Sequence, residues 1–264
     1  MNAIVGRRDL LLVTLDTLRY DVARDLCEAG RTPNLAALLP GGRWERRHAP
    51  GSFTYASHQA IFAGFFPTPA APGAHPRLFA LRFEGSETTT ARTCVLDGPD
   101  IVHGLSTRGY RTVCIGGVGF FNKQNPLGSA LPGLFDESHY SAAMGVGEPD
   151  STRHQVRLAV DLLQAIPPAS RVFLFLNVSA LHQPNCCYLP GAETDSLATH
   201  AAALEYVDRE LPPLFAALRR RGGAFCVVCS DHGTAYGEDG YRGHRLGHPV
   251  VWDVPYAEFL LEGA

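Results

Sequence analysis

The stretch LLLVTLD, residues 10–16, carries the reading of the fold: an apolar run, broken only by Thr14, that stops abruptly at a carboxylate. A strand apolar at nearly every position is covered on both faces, as in parallel sheets. Three more runs repeat the pattern, RTVCI at 111–115, VFLFLNV at 172–178 and AFCVVC at 224–229. Helical stretches lie between them. Thr32 followed by Pro33 opens one, and Ser151 and Thr152 cap another that continues to about Ile166. Residues 200–221 form a third, interrupted at Pro212-Pro213. Strands alternating with helices predict a mainly parallel, doubly wound α/β sheet.

At 264 residues, 45% of them hydrophobic, the chain can bury a sizeable core, and it reads as one α/β domain over 1–264. Residues 66–100, rich in Pro, Gly, Thr and Ala, read as an extended insertion over one edge. The net charge is -3 and the basic triplet Arg219-Arg220-Arg221 suits a helix C-terminus, so nucleic-acid binding is not expected. The N-terminal apolar run is too short to span a membrane, and Asp16 interrupts it with no cleavage site following; neither a membrane segment nor a secretory signal is read. The seven Cys are irregularly spaced. Cys94, Cys114, Cys226 and Cys229 sit in apolar contexts and read as buried thiols of a reduced, cytoplasmic protein. The adjacent Cys186-Cys187 pair lacks the spacing of a metal site.

In open α/β sheets ligands bind beyond the carboxyl ends of the strands. Applied here, that rule collects Asp16 after the first run, His182 beyond VFLFLNV, and Asp231-His232-Gly233 after the last. Each alone reads as a cap, loop or turn residue; their joint position argues for a site. A fourth piece is TYASHQAIFAG, residues 54–64. It reads as a short helix stopped by Gly64, with Thr54 at its N-terminus, where free N–H groups and the dipole favour negative charge. By itself Thr54 reads as an N-cap.

Taken in order, LVTLDTLRYD, T-x-x-S-H-x-x-x-F-x-G at 54–64, LHQP and CSDHG resemble the motifs of the alkaline phosphatase superfamily, sulfatase-like branch. Residues 237–255 also resemble the segment that follows Asp-His-Gly in sulfatases and ends in Val-Pro. The nearest likeness is to compact bacterial sulfatase-like proteins associated with radical-SAM enzymes. The resemblance implies an alkaline-phosphatase-like three-layer α/β/α fold. Because the chain stops at Ala264 soon after Val-Pro, it implies that the usual C-terminal subdomain is absent. It implies that Asp16, Asp231 and His232 bind a divalent cation, Zn²⁺ or Mn²⁺, with Thr54 as fourth ligand and nucleophile. His182 and His244 would contact anionic oxygens, protonate the leaving group or, with His248 as a further candidate, hold a second metal; one or two ions both remain open. His58 stands where sulfatases have an Arg that supports the nucleophile.

The departures shift the chemistry. Sulfatases carry Cys or Ser at the nucleophile position followed by Pro-x-Arg, and paired Asp on the first strand. This chain has Thr54, no such Pro-x-Arg, and Asp16-Thr17. The pattern is closer to phosphatases, phosphodiesterases and phosphotransferases that form a phospho-threonine, so the expected substrate is a small anionic phosphate ester, phosphodiester or phosphonate. Two other readings keep the metal site: a non-catalytic metal-bound scaffold, and a mutase. A nucleotide-binding reading rests on Gly116-Gly117-Val118-Gly119 after RTVCI. Asn122 stands where the third glycine of that fingerprint belongs, so a tight strand-to-helix turn is the better account. Phe120, Phe121, Tyr188 and Tyr236 are candidates for a pocket, with packing the default for each.

Overall fold

The computed structural model describes residues 3–64 and 99–264. Most of the expected insertion, with Cys94, lies outside the described residues. In chain order the elements are β1 (Asp9–Leu15), α1 (Tyr20–Glu28), α2 (Pro33–Ala36), β2 (Glu45–His48), α3 (Thr54–Ala63), α4 (Ile101–Ser106), β3 (Tyr110–Ile115), α5 (Pro126–Ala130) and β4 (Glu137–His139). They continue with α6 (Ser151–Ala165), β5 (Arg171–Val178), α7 (Leu197–Glu210), α8 (Pro212–Arg220), β6 (Gly223–Cys229), β7 (Ala235–Tyr236), β8 (Arg242–Gly243), α9 (Pro249–Trp252) and β9 (Asp253–Glu262).

Seven strands form one sheet in the order β2-β9-β6-β1-β5-β3-β4. The last five of these, β6-β1-β5-β3-β4, pair in parallel, as the apolar runs predict, with β1 between β5 and β6. All seven residues of β1 are buried. Their alternation divides one run between two cores. Leu11, Val13 and Leu15 pack on one face with residues from α1, α6, α7 and α8. Leu10 and Leu12 pack on the other, with Phe62 of α3 and with Val102 and Leu105 of α4. Helices therefore cover both faces, which gives the three layers.

The helix read over 200–221 is two helices. α7 starts on a capping box, in which Ser196 and Thr199 exchange side-chain to backbone bonds, and α8 restarts at Pro212. Arg221 does more than suit a helix end. Its guanidinium is nearly buried against the Asp9 carboxylate at 2.8 Å and donates to the carbonyls of Leu163, Ile166 and Ser170. It ties α6 and α8 to the amino end of the sheet.

Sequence reading ended the sheet at residue 229. The structure adds β9, ten residues long and antiparallel to β6, with the short β2 antiparallel to it in turn. The Pro in Val254-Pro255 hides this strand from a pattern search, because proline removes a ladder donor. Pro255 has no N–H to give, yet its carbonyl accepts from Ser230 N–H at 3.0 Å. The C-terminal strand is thereby fixed against the loop that carries Asp231 and His232.

Candidate active site

The parallel register sets Thr14 beside Asn177 on one side and Cys229 on the other, so the carboxyl ends of β1, β5 and β6 open at one edge. Asp16, Asp231 and His232 leave that edge wholly buried, and their ligand atoms lie within 4.8 Å of one another. Thr54 arrives from the opposite layer as the first residue of α3, where first-turn N–H groups have no helical acceptor. Its Oγ1 lies 3.3 Å from Asp16 Oδ2 and 3.3 Å from His232 Nε2.

The electrostatics of this cluster call for a cation. Asp16 Oδ1 and Asp231 Oδ2 are buried with no hydrogen-bond partner among the described residues. Burial, helped by the neighbouring Asp231 charge, pushes the Asp16 carboxyl up to about 6; burial pushes Asp231 up to about 7. His232 Nδ1 donates to the Gly233 carbonyl at 2.8 Å, which fixes the tautomer that turns a bare Nε2 into the cluster. Burial also holds this imidazole below its ordinary value, so the lone pair stays available. Two carboxylate oxygens without partners, one imidazole lone pair and one hydroxyl form a hard N/O donor set that fits Zn²⁺ or Mn²⁺.

Supporting residues hold these groups in place. Asn177 Nδ2 donates to Asp16 Oδ2 at 3.2 Å, and its Oδ1 accepts from the N–H groups of Gly117 and Val118. The glycine turn after β3 is thus a structural cradle for Asn177 and no nucleotide fingerprint. A Cβ on Gly117 would lie 2.4 Å from the Asn177 carbonyl oxygen. Thr17, a β-branched residue at φ 65, turns its N–H to Asp231 Oδ1 at 3.3 Å and its hydroxyl to the Leu181 carbonyl at 3.0 Å. Gly233 completes Asp-His-Gly for a packing reason: a Cβ there would lie 2.0 Å from the Val250 carbonyl oxygen. Sequence reading did not single out Thr14, Thr17 or Asn177 as site residues. The faint signal was polar residues inside the apolar runs, which burial tolerates only when they are bonded.

The expected histidines part company. His58 is no substrate-facing group: it is fully buried beneath Thr54, ringed by Phe62, Phe121 and Phe175. Its Nδ1 donates to the Thr54 carbonyl at 2.7 Å and its Nε2 accepts from the Thr14 hydroxyl at 3.0 Å. Burial pushes it down to about 3, so it stays neutral and positions α3. His182 and His244 do meet, with ring centroids 5.6 Å apart, and His244 lies 4.7 Å from His232. His182 Nδ1 donates to the Gln183 carbonyl, leaving Nε2 for the site. Burial pushes His244 down to about 3, with its neighbours His232, His182 and Arg245 adding smaller contributions in the same direction. His248 does not join them. Its Nδ1 accepts from Val250 N–H as the N-cap of α9 and its Nε2 bonds Asp239 Oδ2 at 3.1 Å. A second metal set of His182, His244 and His248 is therefore not assembled among the described residues.

A cleft of about 360 Å³ opens onto Thr54, His182 and His244. Of the four aromatic candidates only Phe120 lines it. Phe121 is core, Tyr188 stacks on Tyr206, and Tyr236 bonds Asn185. A larger hollow of about 630 Å³, bordered by Lys123, His139 and His154, shares only Asn122 with this cleft and none of the metal-ligand candidates. The candidate site residues Thr54, His182 and His244 line the smaller one.

No family model matches the sequence, and no curated protein matches it. Solved structures do. The soluble domain of lipooligosaccharide phosphoethanolamine transferase A from Neisseria meningitidis superposes with a TM-score of 0.66 at 17% identity, over 96% of this chain and 76% of that one. The C-terminal periplasmic domain of EptC from Escherichia coli, in complex with Zn, gives 0.65 at 15%, over 97% and 73%. A protein in the alkaline phosphatase superfamily from Vibrio parahaemolyticus gives 0.60 at 16%, over 98% of this chain and 62% of that one. The chain thus spans less than two thirds of the last. At these identities the likeness is one of fold: the chain carries the alkaline-phosphatase-like α/β fold of these proteins. Among the described residues no helix is long and apolar enough to cross a membrane.

Proposed function

We propose that this chain is a divalent-metal-dependent phosphoryl-transfer enzyme that attacks a phosphate ester, phosphodiester or phosphonate with Thr54. One observation carries the reading: the buried Thr54 hydroxyl touches both Asp16 and His232, beside two carboxylate oxygens with no hydrogen-bond partner among the described residues. A scaffold has no use for a nucleophile in that position. The phosphoethanolamine transferases among the structural neighbours, one of them solved with Zn, support the same chemistry.

A cation held by Asp16, Asp231, His232 and Thr54 would supply Lewis acidity, lowering the pKa of the hydroxyl and taking up phosphoryl charge. The chain's own groups do the rest. The first turn of α3 offers backbone N–H groups to equatorial oxygens where charge builds. In the displacement the bond from Thr54 Oγ1 to phosphorus forms, the bond from phosphorus to the leaving oxygen breaks, the hydroxyl proton passes to solvent water, and the departing oxygen takes a proton from water or from a protonated His182. His182 lines the cleft with Nε2 left for the site, and it can donate to the departing oxygen only when that nitrogen carries a proton. His58 keeps Thr54 in register from below. Water or an acceptor alcohol then releases the phospho-threonine.

The test is protein loaded with Zn²⁺ or Mn²⁺ and quenched during turnover of p-nitrophenyl esters, with the Thr54 peptide read by mass spectrometry. A phosphoryl adduct on Thr54 is expected. Thr54→Ala should lose both adduct and turnover while keeping its metal, and wild-type turnover by Thr54→Ala would end the nucleophile assignment. Bound metal with neither adduct nor turnover of any phosphate ester or phosphonate would favour a scaffold.

A further inference from the structure

The cleft has two unlike walls, and neither is accounted for by the metal cluster. On one side stands Arg245, the only Lys or Arg among its lining residues. Arg245 adopts φ 71, a left-handed conformation that costs energy in a residue with a Cβ. Its N–H donates to the Ser52 carbonyl at 2.8 Å, two residues before the nucleophile, and its guanidinium lies 5.9 Å from the Phe53 ring centroid. No carboxylate among the described residues pairs with it. A strained backbone thus holds, in the lining of the cleft, a cation that no carboxylate among the described residues pairs with.

The other wall is apolar. Val118, Phe120, Leu127 and Val146 line it, and the amide oxygens of its asparagines are already committed. Asn122 Oδ1 accepts from Gln124 N–H, and Asn125 Oδ1 caps α5 through Gly128 N–H. Phe120 lies 6.4 Å from Phe53 and 5.4 Å from Tyr55, ring to ring. Those two residues flank Thr54 in the chain, so a substituent on a phosphorus atom attacked by Thr54 meets the Phe120 ring.

We propose that the cleft selects a singly charged phosphorus ester, a phosphodiester or phosphonate monoester, with its charge taken by Arg245 and an apolar, preferably flat, substituent seated on Phe120. This rests on the phosphoryl-transfer reading and sharpens its substrate class. One guanidinium matches one anionic charge and offers paired donors to two phosphoryl oxygens. A wall of four apolar side chains, with the amide oxygens of its asparagines taken, offers a sugar or polyol few partners and penalises its desolvation.

The experiment compares three p-nitrophenyl substrates on protein loaded with Zn²⁺ or Mn²⁺: the phenyl phosphodiester, the methyl phosphodiester and the dianionic monoester. The phenyl diester should give the highest kcat/KM, about 10-fold above the methyl diester for the extra apolar surface it buries. Phe120→Ala should collapse the phenyl-to-methyl ratio. Arg245→Gln should lower kcat/KM for both diesters by about 10- to 100-fold, with Arg245→Lys recovering part of the loss, as expected for a charged hydrogen bond. Metal content and thermal melts confirm that each variant is folded. A monoester preferred by the wild type would overturn the inference and leave the function standing. So would a phenyl-to-methyl ratio untouched by Phe120→Ala, or diester rates untouched by Arg245→Gln. Failure to turn over any ester or form an adduct on Thr54 would overturn both.

Discussion

Replacing Asp231 by Asn should make the metal-free protein more stable at pH 8. The carboxylate is wholly buried, its Oδ2 has no hydrogen-bond partner among the described residues, and burial raises its pKa from 3.8 to about 7. A carboxyl raised on folding holds a proton in the folded chain that the unfolded chain has released. The folded state therefore loses stability as pH rises between these two values, with no penalty below about pH 4 and the whole of it above about pH 7. A difference of about 3 pH units at about 1.4 kcal/mol per unit sets a ceiling of about 4 kcal/mol. The raised pKa of Asp16 depends partly on Asp231, so the two share their costs and about 2 kcal/mol is the lower figure. An amide keeps the oxygen that accepts from Thr17 and His232 N–H at 3.3 and 3.0 Å. It places an NH₂ where Oδ2 stands, 3.5 Å from the bare Nε2 of His232, which can accept from it. At 2–4 °C per kcal/mol for a chain of this size, the melting temperature in EDTA should rise by roughly 4–16 °C. The gain should shrink toward zero near pH 4, and added Zn²⁺ or Mn²⁺ should stabilise the wild type far more than the variant. An Asp231→Asn protein that melts below the wild type in EDTA at pH 8 would refute the reasoning.

Three further outcomes follow from the groups around the cluster. Gly233→Ala puts a Cβ 2.0 Å from the Val250 carbonyl oxygen; urea unfolding should show a loss of about 1–3 kcal/mol, with metal content falling alongside. Asn177→Ala removes the donor to Asp16 Oδ2 and leaves the N–H groups of Gly117 and Val118 without their acceptor. Metal affinity by titration calorimetry should drop about 10- to 100-fold. His58→Phe strips partners from the Thr14 hydroxyl and the Thr54 carbonyl and should cost about 1–3 kcal/mol. Because burial already holds His58 at about 3, the acid limb of the pH–rate profile should keep its midpoint, and a shift of that limb would return His58 to the proton-transfer chemistry.

The parts legible in the sequence were those that backbone periodicity fixes. A run such as LLLVTLD specifies a strand buried on both faces, and its parallel neighbours place Asp16, Asp231 and His232 at one edge with no knowledge of side-chain geometry. What stayed hidden depended on contacts across long stretches of chain. β9 was masked by Pro255 and by an antiparallel direction that nothing local announces. His58 and His244 look alike as histidines near motifs. One is sealed under α3 by three phenylalanines and the other faces the cleft, a difference made entirely by Phe62, Phe121 and Phe175. His248 reads as a ligand until its Nδ1 is found capping α9.

Arg245 marks the same boundary from the functional side. The proposed metal cluster follows from strand ends, which the architecture supplies, so it speaks for a reaction class and not for a substrate. Arg245 lies in a bend and Phe120 in the short 3-10 turn Gly119–Phe121, and they are tied beside Thr54 by the bond from Arg245 N–H to the Ser52 carbonyl and by the packing of Phe120 against Phe53 and Tyr55. Both ties end on residues that flank the nucleophile. A change in either segment therefore alters which substituent meets phosphorus without disturbing Asp16, Asp231 or His232. A fold that separates the two in this way can keep one reaction while its substrate changes, and Phe120→Ala and Arg245→Gln probe the variable part while Thr54→Ala probes the fixed one.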